Sequence, residues 1–458
     1  MNKWLHISIL VCLSLIVFGS GLGKMALTDP DEPFYAETAK EMLSADDWLT
    51  PTIFGQPQFE KPALYYWLVM ISYKAFGISE FSSRLPSMVF GIFGILGIYF
   101  LGTLLFSRKT GFFAGLAMLT SLEYIILSRS CITDMVLCVF ILYAFYFYLK
   151  GYYGGHNRFD YNVSAVFLAL SVLTKGPVGL ILPGAVIFLF LMINKDLRAI
   201  LKYPAAGIAL FVAVAAPWYV LMYKAHGQVF IDHFFGFQNV TRFLTPEHSS
   251  GDIFYYYLPI IIGGFFPWSI FLPLAVININ RSEGIKKSSY TFLALWIAVF
   301  FVFFSISRTK LPTYIFPLFP AMALIIGRHL EFDVLHEKLS PGHYISGVLY
   351  VLSMPVGIIV FYVLAAKKYP LMCPDIVGMG VGACLLAALT GLSLWARKKI
   401  LFYTLLITTM IVVPVTLIFL LSDHISTYES SKVITAELKK LMKPGEKIAA
   451  ETDYRRGV

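Results

Sequence analysis

The chain has 458 residues, 58% of them hydrophobic and 14% charged, with a formal net charge of +9 and a mean hydropathy of +0.73. Apolar stretches of about 20 residues recur along it, each long enough to cross a bilayer, so a water-soluble domain is excluded. In such a chain excess Lys and Arg mark cytoplasmic loops rather than a nucleic-acid partner, and five scattered cysteines without a CxxC indicate neither a disulfide framework nor a zinc site.

The opening run "MNKWLHISILVCLSLIVFGSGLG" is long enough to span and lacks an A-x-A cleavage site, so it reads as a retained first helix rather than a signal peptide. Further spans are predicted at 83–106, 110–128, 131–150, 160–174, 176–194, 203–224, 254–279, 290–307, 311–327, 343–365, 375–395 and 399–421, which with 5–26 makes about thirteen transmembrane helices. Starting from a cytoplasmic Lys3, alternation puts Arg108-Lys109, Lys150 to Arg158, "NKDLRAILK", "NRSEGIKK", Arg328 to Lys338 and "ARKK" inside. All are basic, as the positive-inside bias requires. The loops 28–82 and 225–253 and the tail then lie outside.

Eight of the 27 acidic residues lie between Asp29 and Glu60, in outside loop 28–82. In "DEPFYAETAKEML", Pro33 suits the first position of a helix, and Tyr35, Thr38, Ala39, Met42 and Leu43 form a helical stripe. In "FEKPALYYWLVMISYKAF", Pro62 repeats the construction, with Leu64, Trp67, Leu68, Ile71 and Ala75 as the stripe. Both read as amphipathic helices at the membrane surface. Asp31-Glu32 introduces the first and Glu60-Lys61 the second. A carboxylate at a helix N-terminus is stabilised there, and simple capping accounts for one such acid but not for the whole arrangement.

Seven cations break the inside bias: Lys61, Arg84, Arg129, Lys175, Arg242, Arg308 and Lys310 all fall at outer span ends or in outer loops. Any one can snorkel to headgroups; seven facing a carboxylate-rich loop suggest an anion site opposite an acid site. Asp134 begins the fourth span, where a carboxylate needs a partner. Arg129 is near enough in sequence to be that partner.

The stretches "PDEPFYAETAKEML…FEKP", "TDM", "LTKGP", "QNVTRFL" and "TKLPTY" resemble, in this order, the polyprenyl-phosphate-sugar-dependent glycosyltransferases. The aminoarabinose transferase-like branch is the nearer and the protein O-mannosyltransferases are more distant. The resemblance covers residues 1 to about 421. It implies an all-α polytopic GT-C fold, with a large first outer loop and a site at the outer leaflet. It also implies a catalytic role for Asp31, with Glu32 beside it, and an organising role for Asp134. Lys61, Lys175, Arg242, Lys310 and Tyr314 would lie near the donor phosphate, with Glu60, Arg84 and Arg308 as further site candidates. The resemblance implies no definite cofactor; a divalent metal at Glu60, as in some relatives, is the weakest part of the reading.

The expected reaction is a single inverting displacement from an undecaprenyl-phosphate sugar to a lipid A-like, glycan or protein acceptor of the cell envelope. The enzyme would sit in a bacterial inner membrane, with its N-terminus cytoplasmic and its site and C-terminus periplasmic. Phe34, Gln58 and Asn239 depart from the aminoarabinose pattern and leave sugar and acceptor open. The alternatives are a transporter or flippase of a lipid-linked substrate, and a ligase working from a lipid diphosphate. Residues 422–458 read as a short amphipathic helix followed by a strand-like "KIAAE", an incomplete outer domain or a fragment docked on the bundle.

Overall fold

The computed structural model describes residues 2–28, 30–245, 253, 255–277, 287–335, 340–430 and 432–441. They form helices α1 (Lys3–Gly19), α2 (Asp31–Ser44), α3 (Leu64–Phe76), α4 (Glu80–Leu105), α5 (Arg108–Leu119), α6 (Leu122–Leu127), α7 (Asp134–Tyr153), α8 (Arg158–Lys175), α9 (Val178–Ile193) and α10 (Ala205–Ile231). After a π-helical segment, Asp232–Thr241, come α11 (Arg242–Leu244), α12 (Tyr257–Gly264), α13 (Leu272–Ile277), α14 (Lys287–Ile306), α15 (Phe319–Leu335), α16 (Pro341–Lys368), α17 (Cys373–Trp395), α18 (Lys399–Glu429) and α19 (Lys432–Leu441). Eight helical stretches among the described residues are long and apolar enough to cross a membrane, and α1 and α9 are shorter apolar helices. The protein is an all-α integral membrane protein. The strand-like "KIAAE" of the tail lies outside the described residues.

Close helix contacts rest on missing side chains. A Cβ on Gly111 of α5 would lie 2.3 Å from the Tyr99 carbonyl of α4, and one on Gly327 of α15 would lie 2.5 Å from the Ala114 amide of α5. Small residues let backbones approach this closely where the surrounding lipid offers no hydrophobic drive to association. One buried core then runs from Leu10 through α4, α5 and α7 to Leu406 of α18.

The first outer loop holds both expected helices, with two differences. Neither proline takes the first helical position: α2 begins at Asp31 and α3 at Leu64. Pro33 still falls in the first turn, where a missing N–H costs nothing. The stripe expected for α2 is buried at Tyr35, Thr38, Ala39 and Met42. That of α3 is only partly buried: Leu64, Trp67 and Leu68 are half-buried against the core, and Ala75 is exposed. Tyr65, Tyr66, Val69, Met70 and Tyr73 are buried, whereas Ile71 is 55% exposed. Each of the three tyrosines finds a polar partner inward: Tyr65 Oη lies 3.0 Å from Ser87 Oγ, Tyr66 Oη accepts from Gln58 Nε2 at 2.8 Å, and Tyr73 Oη lies 2.7 Å from Ser83 Oγ. Tyrosine can bury its ring when its hydroxyl is satisfied, leaving Ile71 and Ala75 of the expected row outward.

A two-residue antiparallel pair, Thr52–Ile53 with Gln56–Pro57, lies between these helices and was not expected. Its turn residues Phe54 and Gly55 both have positive φ, 53° and 69°, as the tight hairpin turn matching strand twist demands. Glu41 of α2 fixes that turn, accepting from the Phe54 amide at 2.6 Å and the Gly55 amide at 3.1 Å.

Candidate functional site

The helix order brings several distant segments to one end of the bundle. α7 starts there at Asp134, α8 ends there at Lys175, α9 starts at Val178 and α14 ends at Ile306. A cavity of about 360 Å³ opens among them. Glu60, Lys61, Lys175, Gln238, Asn239, Arg242, Ser307, Thr309 and Tyr314 make its polar wall. Leu137, Val178, Ile181, Phe235, Val240, Phe303 and Phe304 make the apolar one.

Three cations therefore share one small space, and each is held differently. Lys175 Nζ donates to Asp134 Oδ1 at 2.5 Å and lies 4.6 Å from the centre of the Tyr314 ring. Asp134 is 5% exposed, so this pair is largely withdrawn from water. The partner of Asp134 is thus Lys175, not Arg129. Arg129 instead donates to the carbonyls of Val17 and Phe18, at 3.1 and 2.7 Å, and ties α1 to the bundle. Arg242, at the end of the π-helical segment, donates to Gln238 Oε1 four residues earlier at 2.7 Å. Lys61 Nζ reaches the Glu60 carbonyl at 3.1 Å.

Lys61 carries the clearest electrostatic signature. Loss of solvation depresses its ammonium first; Glu60 and Asp134 counter this, while Lys175 and Arg242 add to it, and the result is a pKa of about 8. Burial is the main cause of such a depression, and the two neighbouring cations deepen it.

Gln58 sets the Glu60–Lys61 corner. Its Oε1 accepts from the Glu60 amide at 2.9 Å while its Nε2 donates to Tyr66. Tyr35 connects the corner to α2. It packs against Tyr65 and Tyr66 at 5.5 and 5.9 Å, and its phenol is pushed up by burial and then by Tyr66, Asp31 and Asp134. Asp31 and Asp134 thus both act on this one hydroxyl. Asp31 itself is exposed in the first turn of α2 and is not part of the cavity wall.

Four other candidates stand apart from the cavity. Glu32 and Arg84 form a buried pair: Arg84 Nε donates to Oε1 at 2.8 Å and Nη2 to Oε2 at 2.6 Å. Glu32 also accepts from the Cys131 amide at 2.8 Å and from the Thr28 amide and hydroxyl, both at 2.9 Å. Arg84 spends its remaining donors on the carbonyls of Leu22, Met25 and Ala26. Together they pin the start of α2 to α1, α4 and the segment before α7. Burial would raise the Glu32 carboxyl, but the Arg84 bonds and charge outweigh it and hold it below the usual range. Lys310 is buried and donates to the Ser307 carbonyl at 2.6 Å, and Arg308 is exposed.

A divalent metal does not suit this donor set. Around Glu60 the cavity offers amide and hydroxyl oxygens and three cations, and no group of three or more His, Cys, Asp or Glu among the described residues is placed to hold one. Hard divalent ions require several oxygen ligands, usually anionic.

Sequence reasoning passed over Gln238, Tyr35 and Tyr66. Gln238 has a readable signal, a Gln four residues before an Arg in a helical stretch. In sequence the two tyrosines, Tyr35 of α2 and Tyr66 of α3, are indistinguishable from core residues.

Residues 60–221 match the family described as dolichyl-phosphate-mannose-protein mannosyltransferase. An uncharacterized protein of Aquifex aeolicus (strain VF5) is 31% identical over 362 residues, 79% of this chain and 80% of that one. The undecaprenyl phosphate-alpha-4-amino-4-deoxy-L-arabinose arabinosyl transferase 1 of Proteus mirabilis (strain HI4320) is 28% identical over 377 residues, 81% of this chain and 67% of its own length. Among solved structures, ArnT from Cupriavidus metallidurans bound to undecaprenyl phosphate superposes with a TM-score of 0.83 at 24% identity, covering 98% of this chain and 83% of that one. The oligosaccharyltransferase of Archaeoglobus fulgidus in its apo form follows at 0.56 and 14% identity, over 97% and 59%. Sequence and fold converge: the chain belongs to the polyprenyl-phosphate-sugar-dependent glycosyltransferases of GT-C fold, and within them it is aminoarabinose transferase-like.

Proposed function

We propose that the protein moves a sugar from an undecaprenyl-phosphate carrier to a lipid A-like acceptor of the cell envelope, on the periplasmic face of a bacterial inner membrane. The observation that carries this is the convergence of Lys61, Lys175 and Arg242 on a cavity that apolar side chains also line. A polyprenyl phosphate is such a molecule: an anion on a long hydrocarbon. The tail gains about 0.8 kcal/mol per buried methylene, and the cations meet the phosphate as it leaves.

The step is an inverting displacement. An acceptor oxygen attacks the anomeric carbon, the carbon–oxygen bond to the phosphate breaks, and its electron pair stays on the phosphate oxygen. Negative charge gathers there in the transition state, so cations fixed in a water-poor cavity lower the barrier. Arg242, oriented by Gln238, can bind two oxygens at once, whereas Lys61 and Lys175 act as point charges. Asp134 orients Lys175. Glu32 and Arg84 are positioning residues that hold the first turn of α2, and with it Asp31.

Asp31 serves the acceptor side. If the acceptor is a hydroxyl, its carboxylate takes the proton; if the acceptor is a phosphate, it carries no proton to remove and Asp31 orients it. A transporter would place its charges near the bilayer midplane, whereas these lie at helix ends.

The test is purified protein in liposomes with a synthetic undecaprenyl-phosphate aminoarabinose and lipid A. Appearance of sugar-modified lipid A, lost in Asp31→Asn and Arg242→Gln, supports the proposal. Movement of the intact donor across the bilayer without transfer overturns it.

A further inference from the structure

At the opposite end of the bundle, two cavities meet at one arginine. α15 runs away from the candidate site to Leu335, α17 ends at Trp395 and α18 begins at Lys399, so residues 396–398 turn the chain there. One cavity, about 700 Å³, is lined by Asp333, Arg397, Lys398, Lys399 and Thr404 among others. The other, about 600 Å³, is lined by Tyr344, Ile345, Val348, Leu349, Trp395 and the same Arg397. The first is cationic and the second apolar.

Among the described residues, the one carboxylate lining the cationic cavity is already engaged. Asp333 accepts from His343 Nε2 at 2.6 Å, Lys399 Nζ at 3.1 Å and Tyr403 Oη at 2.9 Å. It has little left for Arg397 or Lys398, which make no side-chain hydrogen bond or ion pair among the described residues.

Arg397 also sits where glycine is the usual choice. Its φ is +60°, and it closes α17 through backbone hydrogen bonds, the Arg397 amide donating to the Leu394 carbonyl and the Lys398 amide to that of Ser393, both at 2.9 Å. Left-handed helix caps favour glycine because other side chains strain there. Beyond the positive-inside bias that suits any basic turn here, Arg397 carries its charge without a side-chain partner among the described residues. Trp395, 77% exposed, and Ile345, 61% exposed, present an apolar surface beside it. Tryptophan next to basic residues is the usual pattern at the edge of a bilayer.

We infer that this corner is a binding site for an anionic glycerophospholipid. Arg397 and Lys398 hold the headgroup phosphate, and an acyl chain lies along Ile345, Leu349 and Trp395. Basic pockets between membrane helices suit such headgroups, and cations at the surface each strengthen the attraction severalfold. The inference is independent of the chemistry proposed for the other end.

The test uses the full chain, delipidated in mild detergent and titrated with phosphatidylglycerol, phosphatidylcholine or inorganic phosphate while bound lipid is counted by native mass spectrometry. One phosphatidylglycerol should bind saturably, and phosphatidylcholine about 30-fold more weakly. In Arg397→Gly/Lys398→Gln that preference should vanish. Glycine suits the left-handed backbone, so this variant should keep the thermal midpoint of the parent in phosphatidylcholine, and Arg397→Asn provides a second variant that tolerates the same backbone. Equal binding of the two lipids by the parent, unchanged preference in both variants, or displacement of the lipid by inorganic phosphate alone would each overturn the inference.

Discussion

Replacing Asp134 by Asn tests how the site is held together. The carboxylate is 5% exposed and lies 2.5 Å from Lys175 Nζ, whose side chain is 12% exposed. At that distance an effective dielectric of about 20 gives a gross attraction of roughly 6–7 kcal/mol, much of which offsets the desolvation of the two charges. Removing one partner leaves the other uncompensated, which costs about 3–5 kcal/mol in buried pairs. Here the cost is sharpened because Lys175 also faces Lys61 and Arg242. Asp134→Asn should therefore lower the thermal midpoint clearly in detergent. Lys175→Met alone should lower it too, by leaving Asp134 unpaired. The double variant should recover most of the lost stability while remaining inactive in transfer. A double-mutant cycle by thermal unfolding checks this. If the two losses simply add, the pair is not a coupled unit and the account of Asp134 as the residue orienting Lys175 fails.

Lys61, with its pKa of about 8, should lose its charge as pH rises through that value, so kcat/KM for the donor should fall above about pH 8. Lys61→Arg should carry the falling limb upward, and identical profiles for the two proteins would remove Lys61 from phosphate binding. The Glu32 carboxyl is held below its usual range, so its contribution to stability is full above about pH 4.3 and lost as pH falls through the lower folded value. Glu32→Gln should be less stable at pH 7 yet show a flatter acid decline; thermal midpoints between pH 3 and 7 measure both. Gly111→Ala should destabilise by about 1–3 kcal/mol through overpacking, because its Cβ would meet the Tyr99 carbonyl at 2.3 Å; an unchanged thermal midpoint would show that α4 and α5 separate easily.

The sequence exposed the membrane class and most long helices because hydrocarbon imposes a strict length and polarity on each span. It also pointed to Lys61, Lys175 and Arg242, since cations on the wrong side of a membrane protein are conspicuous. What it concealed follows from two physical facts. Hydrophobicity ranks Leu and Ile above Tyr, so the stripe legible in the sequence of α3 omits Tyr65, Tyr66 and Tyr73. Their burial depends on Ser83, Ser87 and Gln58, which lie in other segments. Partner choice was the second. Arg84 and Glu32 are 52 residues apart and bond bidentately, and Asp134 passes over nearby Arg129 for Lys175, 41 residues on. Such pairings are fixed by which helix ends meet, information that periodicity does not hold.

Binding of undecaprenyl phosphate to the purified chain, compared with the uncharged prenyl alcohol of the same length, tests the central claim most directly. The three cations predict that the phosphate binds at least 10-fold more tightly than the alcohol, and that Arg242→Gln and Lys175→Gln each erase most of that margin. Equal affinity for phosphate and alcohol in the unaltered protein would contradict it.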